Sequence, residues 1–404
     1  MTKPLAAYIV ALGLSIVGSA VGAVAVPWLV LGLGKGPDQL AVIFAVEALL
    51  AVVAAVAASG FVDRIDKRLQ SIGGNTVLAV TFGMLALLYL RHVLTTTWLI
   101  IIFAVNGFIG GISGAAESAM VPALCGNSRL SNHRVNGIVG SLHTSCDLVG
   151  PILGGAIIAL MGVAWALRMD GSSYALAAAI FAAFIPAMRV SARSDRGSPK
   201  SPVSERLVGF RYIFGDPVLG AITAVSTVVN MAITPMLLLL IPVTVKHVGG
   251  SALNVGELMS CFGFGAVIAS LAYSWRGAKV QPIRSLLASL SILVLCFIAV
   301  TTNMNWIAAP ILVIIGICVG YMGPLESSVM QNRAWTESIA RVILAYMAMR
   351  TTFVPVGFLI DGWLLRLGGP HLALDVTAGI FLIPLLIMVY NISCHGAAWQ
   401  EALR

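Results

Sequence analysis

The sequence predicts an all-α membrane protein with twelve transmembrane helices, arranged as two pseudo-symmetric six-helix bundles. Of its 404 residues, 59% are hydrophobic and only 10% are charged, whereas a soluble domain has about 25% charged residues. So few charges cannot cover a surface that faces water, and most of the surface must therefore face lipid. Twelve apolar segments of membrane-spanning length, and motifs that recur between the two halves, complete the prediction.

Each apolar segment is long enough to cross a bilayer, because a helix needs about 20 residues to span about 30 Å of hydrocarbon. The first segment is longer than the core of a signal peptide and is not followed by a cleavage pattern, so it is predicted to be the first span. The predicted spans are 5–33, 38–62, 73–90, 96–124, 136–160, 170–188, 217–245, 253–274, 285–302, 306–330, 342–367 and 371–393.

The basic residues are distributed unevenly between alternate loops. If the N-terminus is cytoplasmic, 18 Lys and Arg residues fall on the cytoplasmic side, 5 fall on the outer side, and Arg350 lies within a span. Cytoplasmic loops of membrane proteins carry the excess of Lys and Arg. The distribution predicts a multi-pass protein of the inner membrane with both termini in the cytoplasm. The net charge of +8 is thereby explained by topology, and no nucleic-acid partner is expected.

Related motifs recur in the two halves. The pattern G-x-x-E-S occurs at 114–118 and at 323–327, an offset of 209 residues. Three further pairs recur at offsets of 204, 205 and 215 residues: Pro151 and Pro355, Asp170 and Asp375, and Pro27 and Pro242. The repeat predicts a six-helix bundle over 1–188, a basic cytoplasmic linker over 189–216 and a second six-helix bundle over 217–404. Parallel repeats of this kind are a transporter design, with substrate held between the halves.

The loop after the second span carries an acid followed by bases. It reads Gly60-Phe-Val-Asp63-Arg64-Ile-Asp-Lys67-Arg68. This resembles the G-x-x-x-D-R-x-G-R-R signature of the major facilitator superfamily, although the glycine here is three residues before the aspartate instead of four. An ion pair involving Asp63 could act as a latch that stabilises one of two transport states. The alternative is a loop that only anchors the topology.

The fifth span contains the sequence Gly150-Pro151-Ile-Leu-Gly154-Gly155, which resembles the helix 5 motif of exporters and antiporters in that superfamily. Glycines at this spacing let helices approach closely, and proline bends the span. The motif is therefore expected either to influence the direction of transport or simply to pack helices. Together with the segment "YMGPLESSVMQNR" in the tenth span, it makes the chain similar to the drug-exporter branch that contains macrolide-efflux, enterobactin-export and mycobacterial Tap-type multidrug pumps.

Charged residues at membrane depth are the main candidates for proton or substrate binding, because each costs about 2.5–3.5 kcal/mol at the centre of a span unless it faces a cavity or a partner. The candidates are Glu47, Glu117, His143, Asp147, Glu326 and Arg350. His143 and Asp147 are four residues apart, on one helical face, and could form a proton-accepting pair. Desolvation favours the neutral form of a carboxyl group, so each acid could carry a proton or bind a cationic substrate.

Structural roles are the alternative for several of these residues. Glu117 and Glu326 lie near predicted cytoplasmic helix ends and could form salt bridges to Arg129, Arg134, Arg333 or Arg341. Arg350 is expected to be the counter-ion of a buried acid. Glu47 is the best proton or substrate candidate, because the second span offers no nearby base in sequence.

The resemblance implies the major facilitator fold and a secondary active transporter that exports small amphiphilic or cationic molecules by proton antiport and alternating access. The alternative is a dedicated exporter of a siderophore, another natural product or a lipid-like molecule. An enzyme is not expected, because neither H-E-x-x-H nor G-x-S-x-G occurs. The expected partners are a small-molecule substrate and membrane lipids, in a monomer without cofactor or metal that is driven by an ion gradient, that of protons by family resemblance.

Overall fold

The computed structural model of the protein describes residues 2–61, 65–125, 132–187, 208–276, 282–302, 308–333 and 339–401. These ranges consist of helices joined by short connections, which confirms the all-α prediction. The described part of residues 2–187 forms α1 (Lys3–Gly32), α2 (Pro37–Phe61), α3 (Lys67–Leu90), α4 (Thr96–Cys125), α5 (Asn132–Met161) and α6 (Val163–Phe184).

The rest of the described chain, from residue 208 onwards, begins with a short helix and continues with longer ones. These helices are α7 (Val208–Gly215), α8 (Pro217–Pro235), α9 (Ile241–His247), α10 (Ala252–Arg276), α11 (Pro282–Thr302), α12 (Ala308–Arg333), α13 (Ile339–Thr352), α14 (Val354–Ile380) and α15 (Leu382–Glu401). A π-helical turn, Met236–Leu240, joins α8 to α9, so that 217–247 runs as one continuous span.

Ten stretches of the described residues are long and apolar enough to cross a membrane. One of them, Ala345–His395, has 51 residues, which at 1.5 Å per residue is about 77 Å and more than twice the hydrocarbon thickness. It is interrupted at Gly369, whose φ of 72° lies in the left-handed region that favours glycine, and it therefore makes two spans. The remaining span is α6, whose first turns carry Arg168 and Asp170. The predicted count of twelve agrees with this structure.

The chain divides into two compact units. Unit 1 comprises Met1–Ser191 and Ile241–Ser260, and unit 2 comprises Ala192–Leu240 and Cys261–Arg404. The segment 241–260, which contains α9 and the first turns of α10, thus belongs to unit 1. The predicted linker, 189–216, lies outside the described residues as far as residue 207, and its last part forms α7.

In unit 1, α1 packs against α5 and α6, α2 packs against α4, and α3 packs against both α4 and α6. A core of large apolar side chains lies at one end of the unit, with Leu5 and Tyr8 of α1 buried against Met120 of α4 and Phe181 of α6. The Tyr8 and Phe181 rings meet edge to face, with their centroids 6.3 Å apart. This core fixes the start of α1 against the ends of α4 and α6.

The crossing of α2 and α4 is formed by glycines. A Cβ atom on Gly107 would lie 2.1 Å from the carbonyl oxygen of Glu47, and one on Gly111 would lie 2.7 Å from that of Ala51. Such distances require direct contact between the two helix backbones, which small residues allow.

The crossing of α10 and α12 in unit 2 repeats this arrangement. A Cβ atom on Gly316 would lie 2.0 Å from the carbonyl oxygen of Phe262, and one on Gly320 would lie 2.7 Å from that of Ala266. Gly316 and Gly320 follow Gly107 and Gly111 by 209 residues, which is the offset of the repeated G-x-x-E-S motif. The internal repeat therefore extends to backbone packing, and Phe262 occupies the position that corresponds to Glu47.

Candidate functional site

Glu47 lies on α2 where this helix crosses α4. At the crossing, Gly107 of α4 packs against the backbone carbonyl of Glu47. The Glu47 side chain is half-buried, and it interacts electrostatically with Asp170 and Tyr174 of α6. Close backbone packing leaves α2 little freedom to move at this position. Glu47 therefore interacts with a second acid of the same unit.

Asp170 is completely buried, at 0% exposure, between α6 and α1. A Cβ atom on Gly22 would lie 2.2 Å from its Oδ2 atom, and one on Gly18 would lie 3.0 Å from its Oδ1 atom. The two glycines are four residues apart and leave the space that the carboxyl group occupies. A polar layer continues from there, because Ser19 of α1 and Tyr174 of α6 share a hydrogen bond of 2.7 Å.

Glu117 of α4 is bound by a neutral donor. Asn75 of α3 donates from Nδ2 to the Glu117 Oε1 atom at 2.9 Å, and the Tyr8 hydroxyl donates to the Glu117 backbone carbonyl at 3.1 Å. Glu117 also interacts electrostatically with Tyr174. Glu47, Asp170 and Glu117 therefore all interact electrostatically with one tyrosine of unit 1.

Glu326 of α12 is one of two buried acids among the described residues of unit 2, at 3% exposure; Asp361 of α14 is the other. The Tyr346 hydroxyl of α13 donates to its Oε2 atom, and Tyr346 also contacts the Ser226 hydroxyl of α8 at 3.3 Å. Arg350, one helical turn after Tyr346, interacts electrostatically with Glu326. The Arg350 backbone carbonyl accepts a 3.2 Å hydrogen bond from Asn230. Arg350 thus interacts electrostatically with Glu326, and its role as a counter-ion stays a prediction.

Of the arginines proposed as salt-bridge partners for the glutamates, Arg333 contacts a different acid. Its Nε atom lies 2.8 Å from Oδ2 of Asp216. Asp216 also caps α8, because its Oδ1 atom accepts from the backbone N–H groups of Val218 and Leu219 at 2.8 and 3.2 Å. Arg129 and the Arg341 side chain lie outside what the structure describes, and the Arg134 side chain is exposed.

His143 and Asp147 lie on one face of α5 and interact electrostatically. Both side chains are exposed in the protein. The structure therefore places this pair apart from the buried acids of unit 1, on a surface of α5 that can meet lipid, water or substrate.

Asp63 and Arg64, the centre of the predicted latch, lie outside the described residues. Of the adjoining bases, Arg68 donates from Nε to the Phe181 carbonyl at 3.4 Å and from Nη2 to the Ala182 carbonyl. Both carbonyls are in the last turn of α6, where the negative end of the helix dipole attracts cations. Arg68 therefore joins the start of α3 to the end of α6, next to Lys67 at the first position of α3.

The exporter motif of α5 packs against two neighbouring segments of unit 1. A Cβ atom on Gly150 would lie 2.2 Å from Ala20 Cβ, and one on Gly154 would lie 3.0 Å from the Val21 carbonyl, both in α1. Gly155 faces the start of α10 instead, because its Cβ would lie 2.7 Å from the Ala252 carbonyl. Pro151 is buried near Gly155. A Cβ atom on Gly256 of α10 would lie 2.2 Å from the Pro151 carbonyl oxygen.

Sequence reasoning used Asp170 only as a marker of the repeat and missed its burial. The signal that could have revealed it is the G-x-x-x-G spacing of Gly18 and Gly22, which marks a close helix contact, together with an acid inside a span. Tyr346 and Asn75 were also missed, because single Tyr and Asn residues in apolar spans carry no local pattern.

The family model of the Major Facilitator Superfamily matches residues 8–358 of the chain. The chain belongs to the Major Facilitator Superfamily. Since proteins of this superfamily are transporters, the chain is a multi-pass membrane transporter and not an enzyme. Within the part of the chain that the structure describes, no group of three or more His, Cys, Asp or Glu side chains could hold a metal ion.

Two characterised members of the superfamily are similar to the chain in sequence. The multidrug efflux pump Tap of Mycobacterium tuberculosis (strain ATCC 25618 / H37Rv) is 22% identical over 364 residues, which cover 88% of this chain and 85% of Tap. The enterobactin exporter EntS of Escherichia coli O1:K1 / APEC is 28% identical over 180 residues, 44% of this chain and 40% of EntS.

Solved structures agree on the fold of the superfamily. The nucleoside transporter NupG has a TM-score of 0.75 at 12% identity, covering 97% of this chain and 99% of NupG. A bacterial homologue of the human lysosomal transporter Spinster has a TM-score of 0.66 at 14% identity, covering 99% of this chain and 95% of that chain. At such identities these likenesses concern the fold alone.

Proposed function

We propose that the protein is a secondary active transporter that exports small amphiphilic or cationic organic molecules by proton antiport and alternating access. The observation that carries the proposal is the similarity to a multidrug efflux pump along 88% of the chain. The buried and half-buried acids of each unit support it, because carboxyl groups inside a membrane can take up protons or attract cations.

In this proposal Glu47 takes up and releases protons. Further candidates for this role are Glu117, Asp147 and Glu326. His143 and Arg350 modulate the acids beside them. The bundles 1–188 and 217–404, joined by the linker 189–216, provide the alternating access. The protein works in the inner membrane with both termini in the cytoplasm, as a monomer in contact with lipid. No cofactor takes part beyond the proton gradient.

A dedicated exporter of a siderophore, another natural product or a lipid-like molecule is the second candidate. The observation that favours it is the similarity of 180 residues to an enterobactin exporter. The two candidates differ in substrate range, which a panel of compounds can measure.

The test is uptake into inverted membrane vesicles with an imposed pH gradient, acidic inside, and a panel of cationic, neutral and anionic compounds. Antiport predicts that substrate accumulates only while the gradient is present and that the Glu47→Gln variant loses this dependence. Glu257→Gln is the matched control, because Glu257 is an exposed acid in α10. Uptake that ignores the gradient in the wild type contradicts antiport, and accumulation in intact cells contradicts export.

A further inference from the structure

The carboxyl group of Asp170 is buried without compensation. Its residue is 0% exposed, and neither Oδ1 nor Oδ2 has a hydrogen-bond partner among the described residues. An ionised carboxylate in such surroundings is strongly disfavoured, and buried acids without partners become neutral instead. The geometry therefore calls for a proton on Asp170 in this conformation.

The backbone of α1 forms the wall that excludes water from this carboxyl group. Gly18 and Gly22 approach it so closely that any side chain at either position would collide with α6, since a Cβ on Gly18 would also lie 1.9 Å from the Ser173 hydroxyl. The space holds a carboxyl group and no layer of water. Hydration of Asp170 consequently requires α1 and α6 to separate at these glycines.

Among the residues that the structure describes, the groups that interact with Asp170 include no compensating base. Helices α1, α3 and α5 pack against α6, and the ionisable groups that interact with the carboxyl are Glu47 of α2 and Tyr174 of α6. Helix α1 contributes the Ser19 hydroxyl, which shares a hydrogen bond with the Tyr174 hydroxyl. Helix α3 contributes the Phe82 ring, which stacks on the Tyr174 ring with the two centroids 5.8 Å apart.

Among the ionisable residues of α5, the side chains of Arg134, His143 and Asp147 are exposed. At the cytoplasmic-side end of α3, Arg68 is engaged with the last turn of α6. Neither helix therefore presents a cation to Asp170 through these residues. The group with which Asp170 interacts across helices is itself an acid, and a like charge disfavours ionisation of the carboxyl group.

We propose that Asp170 is a proton-binding site of the transporter, in which a proton is held on the carboxyl while α1 and α6 are packed together and is released to water when they separate. The proposal deepens the antiport proposal and rests on it for the coupling to transport. In the release step the Oδ–H bond breaks, the proton passes to water, and the carboxylate that remains is stabilised by hydration. Glu47, the acid that interacts with Asp170, opposes loss of the proton until water enters.

The first test is infrared spectroscopy of the purified protein in nanodiscs at neutral pH, which separates the carbonyl band of a protonated carboxyl group from the bands of carboxylates. The Asp170→Asn variant, nearly identical in shape to the neutral acid, should lose a protonated-carboxyl band that the wild type has. The Asp375→Asn variant is the control, because Asp375 is the exposed acid at the repeat-related position, and it should keep that band. An unchanged band in Asp170→Asn overturns the proposal.

The smaller Asp170→Ala variant replaces Asp170→Asn in this measurement if the latter does not fold.

The second test is transport by Asp170→Asn in inverted vesicles. Accumulation driven by the pH gradient should fall to background, whereas exchange of labelled for unlabelled substrate without a gradient should persist. Gradient-driven accumulation at the wild-type level overturns the coupling. Failure of antiport itself gives a different result, since the wild type then ignores the gradient while the infrared band still reports on Asp170.

Discussion

At the scale of single residues, the repeat-related acids of the two units have different partners. Glu117 accepts from an amide of α3, whereas Glu326 accepts from a phenol and interacts with an arginine, both on α13. The sequence repeat predicts equivalent positions for these two acids, but a hydrogen-bond partner comes from another helix, and its identity is not encoded in the motif. The repeat therefore located the acids without revealing their chemistry.

Tyr346→Phe should destabilise the protein by about 1–3 kcal/mol, the cost of leaving a buried polar partner without its donor. The change should be smaller when Glu326 is already replaced by Gln, because the two residues share one interaction. Thermal unfolding in detergent measures both effects. Tyr390→Phe is the control, since Tyr390 is 71% exposed. Equal melting temperatures for Tyr346→Phe and Tyr390→Phe would contradict the role assigned to this hydrogen bond.

Asp170 shows why part of the site could not be predicted from sequence. Its counterpart in the repeat, Asp375, is exposed, so the motif that identified both residues does not distinguish a buried acid from a surface one. The difference arises from Gly18 and Gly22 on a helix about 150 residues earlier, and that pairing is a property of the packed structure.

At the scale of helices, the glycine crossings of α2 with α4 and of α10 with α12 hold the same position in each unit. Hydropathy and positive charge predicted where every span lies, because lipid sets the length of each one. They missed helix ends that extend beyond the apolar segment, since α3 begins at Lys67 and not at 73, and α6 begins at Val163 and not at 170. The predicted end at 367 and start at 371 flank Gly369, where the structure breaks the helix. Hydropathy gave no sign of the π-helical turn at Met236–Leu240, because an extra residue in one turn leaves the apolar composition unchanged.

Gly107→Ala and Gly316→Ala should each destabilise the protein by about 1–3 kcal/mol, because an added methyl group would force two touching backbones apart. Gly110→Ala and Gly323→Ala are matched controls on the same helices, since a Cβ at either position meets nothing within 4 Å. The controls should be neutral or slightly stabilising, because alanine favours helix. A Gly316→Ala protein that unfolds at the same temperature as Gly323→Ala would refute the shared crossing.

At the scale of the whole molecule, the proposed orientation predicts which loops face the outside. A variant with Val248→Cys, in a background without the six native cysteines, should react with a membrane-impermeant thiol reagent in intact cells, because Val248 is 63% exposed and its loop is assigned to the outer side. Arg284→Cys, on the opposite side, should react only after permeabilisation. The reverse pattern would show that the positive-inside argument fails for this protein.

The division into two units has a consequence for how the protein is made. The chain leaves unit 2 and enters unit 1 at Leu240–Ile241, at the end of the π-helical turn and inside a single span. Gly155 and Pro151 of α5 pack against the segment that follows, at Ala252 and Gly256. During synthesis, therefore, the first six spans cannot complete their own packing until the seventh and the start of the eighth have emerged from the ribosome. We expect a fragment ending at the linker to insert into the membrane yet remain sensitive to protease around α5, and to be protected once the missing segment is supplied.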